Sequence, residues 1–341
     1  MRTLLAFPLM TLLCLAAAAL ALATGPMDIP LSHVAGALHF PFGTPPESAE
    51  AATVWQIRLP RVVLALLVGA ALAQAGAAMQ GIFRNPLADP GLVGISSGAA
   101  LAAVAVIVLG ESLNLFTVLP ARFVLPVAAF AGGALATALV LRVALVDGHT
   151  RVATLLLSGL ALNAVAGAGI GFFSHVATDS ALRSVTFWMF GSLGKAGWAE
   201  IAVAAPLLIV PLVLLPREAH ALDALLLGEA EAGHVGVAVE KLKRRVTTLV
   251  VLAAGAAVAL AGIVAFVGLI VPHLVRLWAG PGHRMLLPAS ALLGALLLTL
   301  ADTAARVMLS PTELPIGILT ALVGGPLFFA LLLARREAAD A

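Results

Sequence analysis

The chain has 341 residues, of which 62% are hydrophobic and 11% are charged; its mean hydropathy is +1.10 and its net charge is +2. A soluble domain carries about 25% charged residues, so this composition excludes an ordinary water-soluble globular protein. The single cysteine, Cys14, lies inside the first apolar run, which excludes a disulfide framework and a thiolate metal site. We therefore predict an all-α polytopic membrane protein.

Ten apolar runs are candidate membrane spans, since about 20 apolar residues cross the hydrocarbon core. The first run follows Arg2, and its length favours a retained helix, although a cleaved signal peptide is the alternative. The seventh and eighth runs are hard to separate, because only Gly262, Gly268 and Pro272 interrupt them. The runs lie near residues 3–24, 62–82, 92–110, 119–141, 152–173, 197–215, 246–265, 267–280, 286–303 and 316–334.

Basic residues predict the orientation, because loops that remain in the cytoplasm are enriched in Lys and Arg. With ten spans and both termini in the cytoplasm, thirteen basic residues fall inside and six fall outside. Three connections are long. We expect a periplasmic segment at 25–57, a periplasmic loop with an amphipathic helix at 174–196, and a cytoplasmic loop at 216–245.

The chain contains a candidate internal repeat. Residues 69–76 (GAALAQAG) match residues 255–262 (GAAVALAG) at six of eight positions, and Pro86 meets Pro272 at the same offset. The two copies would cross in opposite directions, as in an inverted-topology repeat. The alternative is chance similarity, because small residues recur wherever spans pack closely.

The cytoplasmic loop contains an apolar ridge in a segment that otherwise lies in water. A partner with a groove would bury such a ridge; the alternative is a helix lying on the lipid surface. Nearby acids disfavour contact with an anionic leaflet, so we prefer partner docking. We expect two short helices split between Gly233 and Gly236. The ridge consists of Leu222, Leu225, Leu226 and Leu227.

Three arginines fall on the predicted outer side, against the general charge bias. Arg58 and Arg61 precede an inward-running helix, whose positive dipole end disfavours cations. Together with Arg306 they could form one exposed basic rim that docks an acidic partner. The alternatives are headgroup snorkelling and, for Arg306, an ion pair with Asp302 four residues earlier.

Long stretches of the chain resemble the permease family of ATP-binding-cassette (ABC) importers for iron-siderophores, haem and cobalamin, the type II importers. The stretches are RLPR, GAALAQAGAAMQGIFRNPLADPGLVGISSGAAL, FWMFGSLG, FVGLIVPHLVRLWAGPGHRMLLPASALLGA and PTELPIGILTALVGGPLFF, and the resemblance covers about residues 55–334. It implies ten spans per subunit, a homodimer, a cytoplasmic ABC ATPase dimer, a periplasmic binding protein and a bacterial inner-membrane location. It implies no nucleic-acid partner.

The resemblance also implies roles for particular residues. Arg58, Arg61 and Arg306 match arginines that receive the binding protein. The stretch 220–240 matches the coupling helices, although Gly233-His234-Val235 departs from the usual Leu before Gly-Val. The coupling residues would be Leu222, Leu225, Leu226, Gly228, Glu229 and Gly236, and the cytoplasmic gate would be Asn85, Leu87, His149 and Thr150.

No phosphate-binding loop occurs, because Gly191-Ser192-Leu193-Gly194-Lys195 is too short and lacks a hydroxyl residue after the lysine. We therefore expect a permease that is not an enzyme, with ATP hydrolysed by a partner subunit, no permanently bound cofactor and no metal site.

The fifth span and the loop after it are the candidate path. Helix glycines there could widen a path at a dimer axis, although close packing explains them equally. An aromatic vestibule with one cation suits haem, and siderophore and cobalamin are the alternatives. An ordinary loop histidine and an interfacial tryptophan are the simpler interpretations of two members. The path residues are Asn163, Gly167, Gly171, His175, Arg183, Trp188 and Met189.

Two other functional classes are alternatives to an importer permease. An ion-coupled secondary transporter usually needs an ionisable residue near mid-membrane, whereas the acids here cluster at span ends, with Asp302 the deepest. An intramembrane enzyme would need a histidine or carboxylate cluster at depth, and His273 alone does not make one.

Overall fold

A computed structural model describes residues 2–38, 48–113, 115–117, 120–195, 197–310 and 312–340. Within these ranges the chain forms fifteen α-helices and one short antiparallel hairpin. The elements are α1 (Arg2–Ala23), α2 (Leu31–Leu38), α3 (Ala49–Thr53), α4 (Leu59–Phe83), α5 (Ile95–Ser112), α6 (Ala121–Ala144), β1 (Leu145–Val146), β2 (His149–Thr150), α7 (Val152–Val176), α8 (Asp179–Met189), α9 (Trp198–Leu214), α10 (Ala219–Leu226), α11 (Glu229–His234), α12 (Val239–Ala261), α13 (Val267–Ala279), α14 (His283–Val307) and α15 (Ile316–Asp340).

Eight helical segments of the described chain are long and apolar enough to cross a membrane, and two shorter apolar helices accompany them. The ten-run pattern thus agrees with an all-helical membrane protein. One boundary differs, because a π-helical turn at Val54–Arg58 joins α3 to α4, so the second long segment starts at Ala49.

The structure separates the seventh and eighth runs. The helix α12 ends at Ala261, the next five residues are not helical, and α13 begins at Val267. Gly262 has a φ of +71°, which favours glycine, and the backbone N–H of Ser192 donates to the carbonyl of Ala261 at 2.8 Å. The helix α13 has 13 residues and spans only about 20 Å, so it is too short to cross the bilayer by itself.

The helix α4 is the centre of the bundle. Every residue from Val68 to Phe83 is buried, and α14, α12, α13 and α9 all pack around it. Its small residues permit that approach: a Cβ at Gly69 would overlap the carbonyl of Gly294, and one at Gly76 would overlap Gly268. Close backbone contact replaces the hydrophobic effect as the packing force between helices in lipid.

The helices α4 and α14 run antiparallel along their whole lengths. Gly69 faces Gly294 near the middle, and Gly81 lies against His283 at one end. Arg61 pairs with Asp302 at the other end. The two ends of this pair are therefore the two polar faces of the protein. We call them the His283 end and the Arg61 end.

The helices α7 and α15 lie at the edge of the bundle. Leu157, Leu160 and Val165 of α7 are exposed, as are Leu322 and Phe329 of α15. Within this chain α7 packs on α5 and α6, and α15 packs on α14 and α13. Each helix therefore keeps one apolar face that the described residues of this chain do not cover.

Candidate functional site

The three outer arginines lie at the Arg61 end, and all three are buried. Arg58, Arg61 and Arg306 are at most 6% exposed. The prediction that they form an exposed basic rim is therefore wrong, because each guanidinium group is turned into the protein. Their role in docking a partner stays a prediction.

Two of these arginines bind the end of the first helix. Arg58 donates to the carbonyl oxygens of Leu22 at 2.6 Å and Ala23 at 2.7 Å. Arg306 donates to the carbonyl of Ala21 at 3.0 Å. The last carbonyls of a helix lack intrahelical partners and carry its negative dipole end, so cations stabilise them. No sequence pattern signals these contacts, because backbone acceptors carry no residue identity.

The third arginine joins two carboxylates. Arg61 binds Asp302 through Nε and Nη2, each at 2.9 Å, and binds Glu313 through Nη1 at 2.8 Å. Asp302 also lies 3.4 Å from Nε of Arg306. Asp302 is buried, whereas the side chain of Glu313 is 42% exposed. Sequence reasoning named Asp302 as a partner of Arg306 and missed Glu313, although Glu313 lies inside the quoted PTELPIG stretch.

The leucines of α10 divide into two sets. Leu222 and Leu225 are fully buried, and α10 packs against α4 and α14. Leu226 is 41% exposed and Leu227 is 74% exposed. The predicted four-leucine ridge is therefore wrong for its first two members. The exposed apolar residues at this site are Leu226, Leu227 and, beyond α11, Val235.

The helices α10 and α11 meet at Gly228, not between Gly233 and Gly236 as the sequence predicted. Gly228 has a φ of +132°, a region open to glycine, and its backbone separates the two short helices. Gly236, with a φ of +88°, instead makes the turn between α11 and α12. Glu229 opens α11 and accepts a hydrogen bond from Nζ of Lys243 at 2.7 Å, which ties α11 to α12.

A partly buried contact fixes α10 to the centre of the bundle. Oδ1 of Asp223 lies 2.7 Å from Nδ1 of His283 and accepts a hydrogen bond from its backbone N–H, also at 2.7 Å. Gly81 of α4 lies directly against the same imidazole ring. This contact therefore joins α10 to the start of α14, beside Gly81 of α4.

The four predicted gate residues lie at the His283 end but contact different elements. Asn85 is exposed and its Oδ1 accepts a hydrogen bond from the N–H of Leu87 at 2.9 Å. Thr150 donates from N and Oγ1 to Glu240 at 3.1 and 2.8 Å, and His149 is exposed in the hairpin. Among the described residues, no hydrogen bond joins these two pairs within one chain.

Leu87 lines a small apolar cavity between α13 and α15. Nearby, Asp89 caps a short 3-10 helix by accepting a hydrogen bond from the N–H of Gly91 at 2.7 Å. Burial raises the pKa of the Asp89 carboxyl above its ordinary value, and this hydrogen bond opposes the shift. The cavity is lined by Pro86, Leu87, Leu269, Ile270, His273, Phe328 and Leu331.

Three of the predicted path residues share the open face of α7. At Gly167 and Gly171 no described atom outside the backbone of α7 lies within 4 Å of the place that a Cβ would occupy, and His175 is exposed one turn further on. Asn163 differs, because its Oδ1 accepts a hydrogen bond from Oγ of Ser97 at 2.6 Å and so faces α5. Gly325 of α15 is equally open.

The predicted vestibule residues on α8 differ in their exposure. Arg183 is exposed, and its Nε lies 3.4 Å from the carbonyl of Asp179. Trp188 is buried, and Met189 packs with it against α5. Trp188 lines a cavity whose other described walls are α5, α6, α9 and α12, and no described residue of α7 lines it. The structure therefore does not bring Trp188 together with Gly167 and Gly171.

Comparison with known proteins identifies the family. The model of the FecCD transport family matches residues 12–334. The hemin transport system permease protein HmuU of Yersinia pestis is 45% identical over 306 residues, which is 89% of this chain and 90% of that protein. The cobalamin import system permease protein BtuC of Halobacterium salinarum is also 45% identical, over 92% of this chain and 81% of that protein.

The architecture agrees with this similarity. A solved structure described as an inward-facing conformation of a metal-chelate type ABC transporter superposes with a TM-score of 0.83 at 31% identity, covering 97% of this chain and 99% of that one. A match of this extent requires the same order and packing of helices. The chain therefore belongs to the FecCD transport family: it is a multi-pass permease subunit of an ABC importer and is not itself catalytic.

Proposed function

We propose that this chain is the permease of a haem importer and works as a homodimer in the bacterial inner membrane, with both termini in the cytoplasm. The observation that carries the cargo assignment is the 45% identity to a hemin permease over 90% of that protein's length. Cobalamin is the second candidate, because a cobalamin permease is equally identical to this chain. An iron-siderophore complex is the third candidate cargo, as expected from the sequence.

The open glycines support a dimer at α7 and α15. Among the described glycines of the membrane-spanning helices, only Gly167, Gly171 and Gly325 meet no neighbouring atom within 4 Å. Every other such glycine touches a neighbouring helix or side chain of the same chain. A second copy facing these two helices would leave a wide space between small residues, and cargo would cross there. Exposed His175 and Arg183 would stand near its outer mouth, where Arg183 attracts the carboxylates of haem.

The arginine cluster supports docking by exchange of carboxylates. Arg61 is held from below by buried Asp302 and from outside by the half-exposed Glu313. An acidic residue of a periplasmic binding protein would replace Glu313 and leave Asp302 in place. Glu313 lies just before α15, so its release would act directly on a helix that lines the proposed path.

The exposed apolar residues at the end of α10 and after α11 support coupling to an ATPase. Leu226, Leu227 and Val235 are exposed while α10 and α11 are fixed to the bundle by Asp223 and Glu229. A soluble ATPase that buries these apolar residues would push on a rigid attachment. The movement would reach α4 and α14 through His283 and change which gate is open.

The experiment is uptake into liposomes that contain the permease and its ATPase, with the periplasmic binding protein outside. We expect ATP-dependent uptake of haem that exceeds uptake of cobalamin and of a ferric siderophore. Preferential uptake of cobalamin would change the cargo assignment from haem to cobalamin but would still support an ABC importer. Uptake driven by a proton or sodium gradient without the ATPase would support an ion-coupled carrier and contradict the proposal.

A further inference from the structure

A groove between α6 and α9 opens at the Arg61 end of the protein. Both helices pack on α12, which forms the floor. The small side chains of Ala256 and Ala259 keep that floor low, and Val127 and Val203 form exposed lips on either side. The walls are almost entirely apolar from Pro126 inward.

The groove is long in the direction of the membrane normal. Its described lining extends along α9 from Glu200 to Leu207 and along α6 from Arg122 to Phe130. At about 1.5 Å per residue, each wall is roughly 10–12 Å long along the helix axis. The groove is therefore long enough to hold part of a hydrocarbon chain.

The mouth of the groove joins a wider cavity of about 500 Å³, whose lining includes charged as well as apolar side chains. Four charged side chains line this cavity, and each lies at or beside the end of a spanning helix: Glu111 at the end of α5, Arg122 at the start of α6, and Lys195 and Glu200 around the start of α9. Helix ends lie at the level of lipid headgroups.

Among the described residues, neither cation at the mouth forms a hydrogen bond to a carboxylate. The side chain of Arg122 is 66% exposed; its Nε lies 3.8 Å from Glu200, longer than a hydrogen bond, and its guanidinium lies over the ring of Phe123, 5.1 Å from the ring centroid. Oε2 of Glu200 is instead used to accept a hydrogen bond from the N–H of Gly197 at 2.9 Å. Lys195 is exposed as well. Both cations can therefore receive an anionic group.

We propose that this groove is a binding site for one glycerophospholipid of the outer leaflet. The phosphate would lie between Arg122 and Lys195, where charge-assisted hydrogen bonds are strongest. The ammonium of a phosphatidylethanolamine headgroup would lie near Glu111, which already accepts a hydrogen bond from Ser180. One acyl chain would fill the apolar groove over Ala256 and separate α6 from α9 as a wedge.

This site is distinct from the proposed cargo path. No described residue of α7 or α15 lines the groove or the cavity at its mouth. Trp188, which sequence reasoning placed in the path, lies in the inner wall of this cavity. An indole at the headgroup level is a common neighbour of lipid, so the same side chain is explained without a role in transport.

The test is native mass spectrometry of the purified full-length permease after exchange into three additives. These are palmitoyl-oleoyl phosphatidylethanolamine, the diacylglycerol with the same chains, and glycerol 3-phosphate. We expect one retained phosphatidylethanolamine per chain and no comparable retention of the other two. Equal retention of diacylglycerol would overturn the headgroup assignment, and retention of glycerol 3-phosphate alone would overturn the lipid assignment.

Variants locate the site. Arg122→Gln should lower phosphatidylethanolamine retention about tenfold, because one charge-assisted hydrogen bond is lost. Ala204→Phe should abolish retention by filling the groove, since Ala204 lies in its wall. Leu135→Phe adds similar bulk to an exposed position elsewhere on α6 and should leave retention unchanged. Unchanged retention in Arg122→Gln would overturn the proposal even if Ala204→Phe failed to fold.

Discussion

The helices α4 and α7 have the same length, 25 residues, and both are apolar and rich in alanine and glycine, yet they occupy opposite environments. In α4 the glycines touch the backbone or side chains of neighbouring helices. Gly167 and Gly171 of α7 touch no neighbouring helix in the described part of this chain. The comparison shows that a small residue in a membrane helix does not by itself indicate close helix packing. Its role depends on whether another helix lies opposite it.

Adding the same side chain to each helix tests whether the two helices differ in this way. Gly76→Leu should abolish folding, because its side chain would occupy the space of the Gly268 backbone and separate α4 from α13. Gly171→Leu should fold normally, since no atom of another described element lies within 4 Å of the position of its Cβ. The measurement is the yield of monodisperse protein and its melting temperature in detergent.

If Gly171→Leu folds, its transport rate tests the proposed path. We expect ATP-dependent uptake to fall about tenfold or more, because a leucine would narrow the space between two copies. A folded Gly76→Leu, or full transport by Gly171→Leu, would contradict the roles given to the two helices.

The next largest effect concerns the charges at the end of α4. Asp302→Ala should destabilise the protein by about 3–5 kcal/mol, because it leaves Arg61 and Arg306 buried beside each other without their shared carboxylate. Glu313→Gln should cost no more than about 1 kcal/mol, since Glu313 is half-exposed and water replaces it. Thermal unfolding of both variants in one detergent compares them directly.

Glu313→Gln also tests the exchange of carboxylates. Without its internal competitor, Arg61 should bind the periplasmic binding protein more tightly, and surface plasmon resonance should show a lower dissociation constant. Weaker binding by Glu313→Gln would refute the exchange. Arg61→Gln is the matched control, and unchanged binding in that variant would refute docking at this cluster.

A third prediction extends the comparison to α10. Leu222→Ala should destabilise the protein by about 3 kcal/mol, because Leu222 is fully buried against the bundle. Leu226→Asp should leave the melting temperature within a few degrees of the parent, since Leu226 is 41% exposed and lies at the surface. It should nevertheless release the ATPase from the solubilised complex, which co-purification measures. Retained ATPase would contradict the coupling role.

The last prediction concerns the stability change caused by adding one methyl group, which should have opposite signs in α7 and α4. Gly171→Ala should stabilise the protein by up to about 1 kcal/mol, because alanine favours the helix and meets no neighbour. Gly76→Ala should destabilise it, because the added methyl overlaps Gly268. Unfolding in increasing concentrations of denaturant measures both changes in stability. If both variants were stabilised, or both destabilised, the two glycines would not differ in their environments as described.

The sequence alone determined the class of protein and the order of its spans. Length and apolarity decide whether a segment can enter a membrane, and both are properties of contiguous residues. The same reasoning placed Arg58, Arg61 and Arg306 at one end and the 216–245 loop at the other. The family followed from long stretches such as MQGIFRNPLADPG, whose residue order is itself the signal.

Which of these residues face inward depends on how the helices pack, and the sequence did not predict it. Leu222 and Leu226 are four residues apart on one short helix, and their burial depends on where α4 and α14 lie. The partners of Arg58 are backbone carbonyls more than thirty residues away, and those of Arg61 are Asp302 and Glu313. Such contacts depend on how distant helices pack, and a local pattern of residue types does not contain that information.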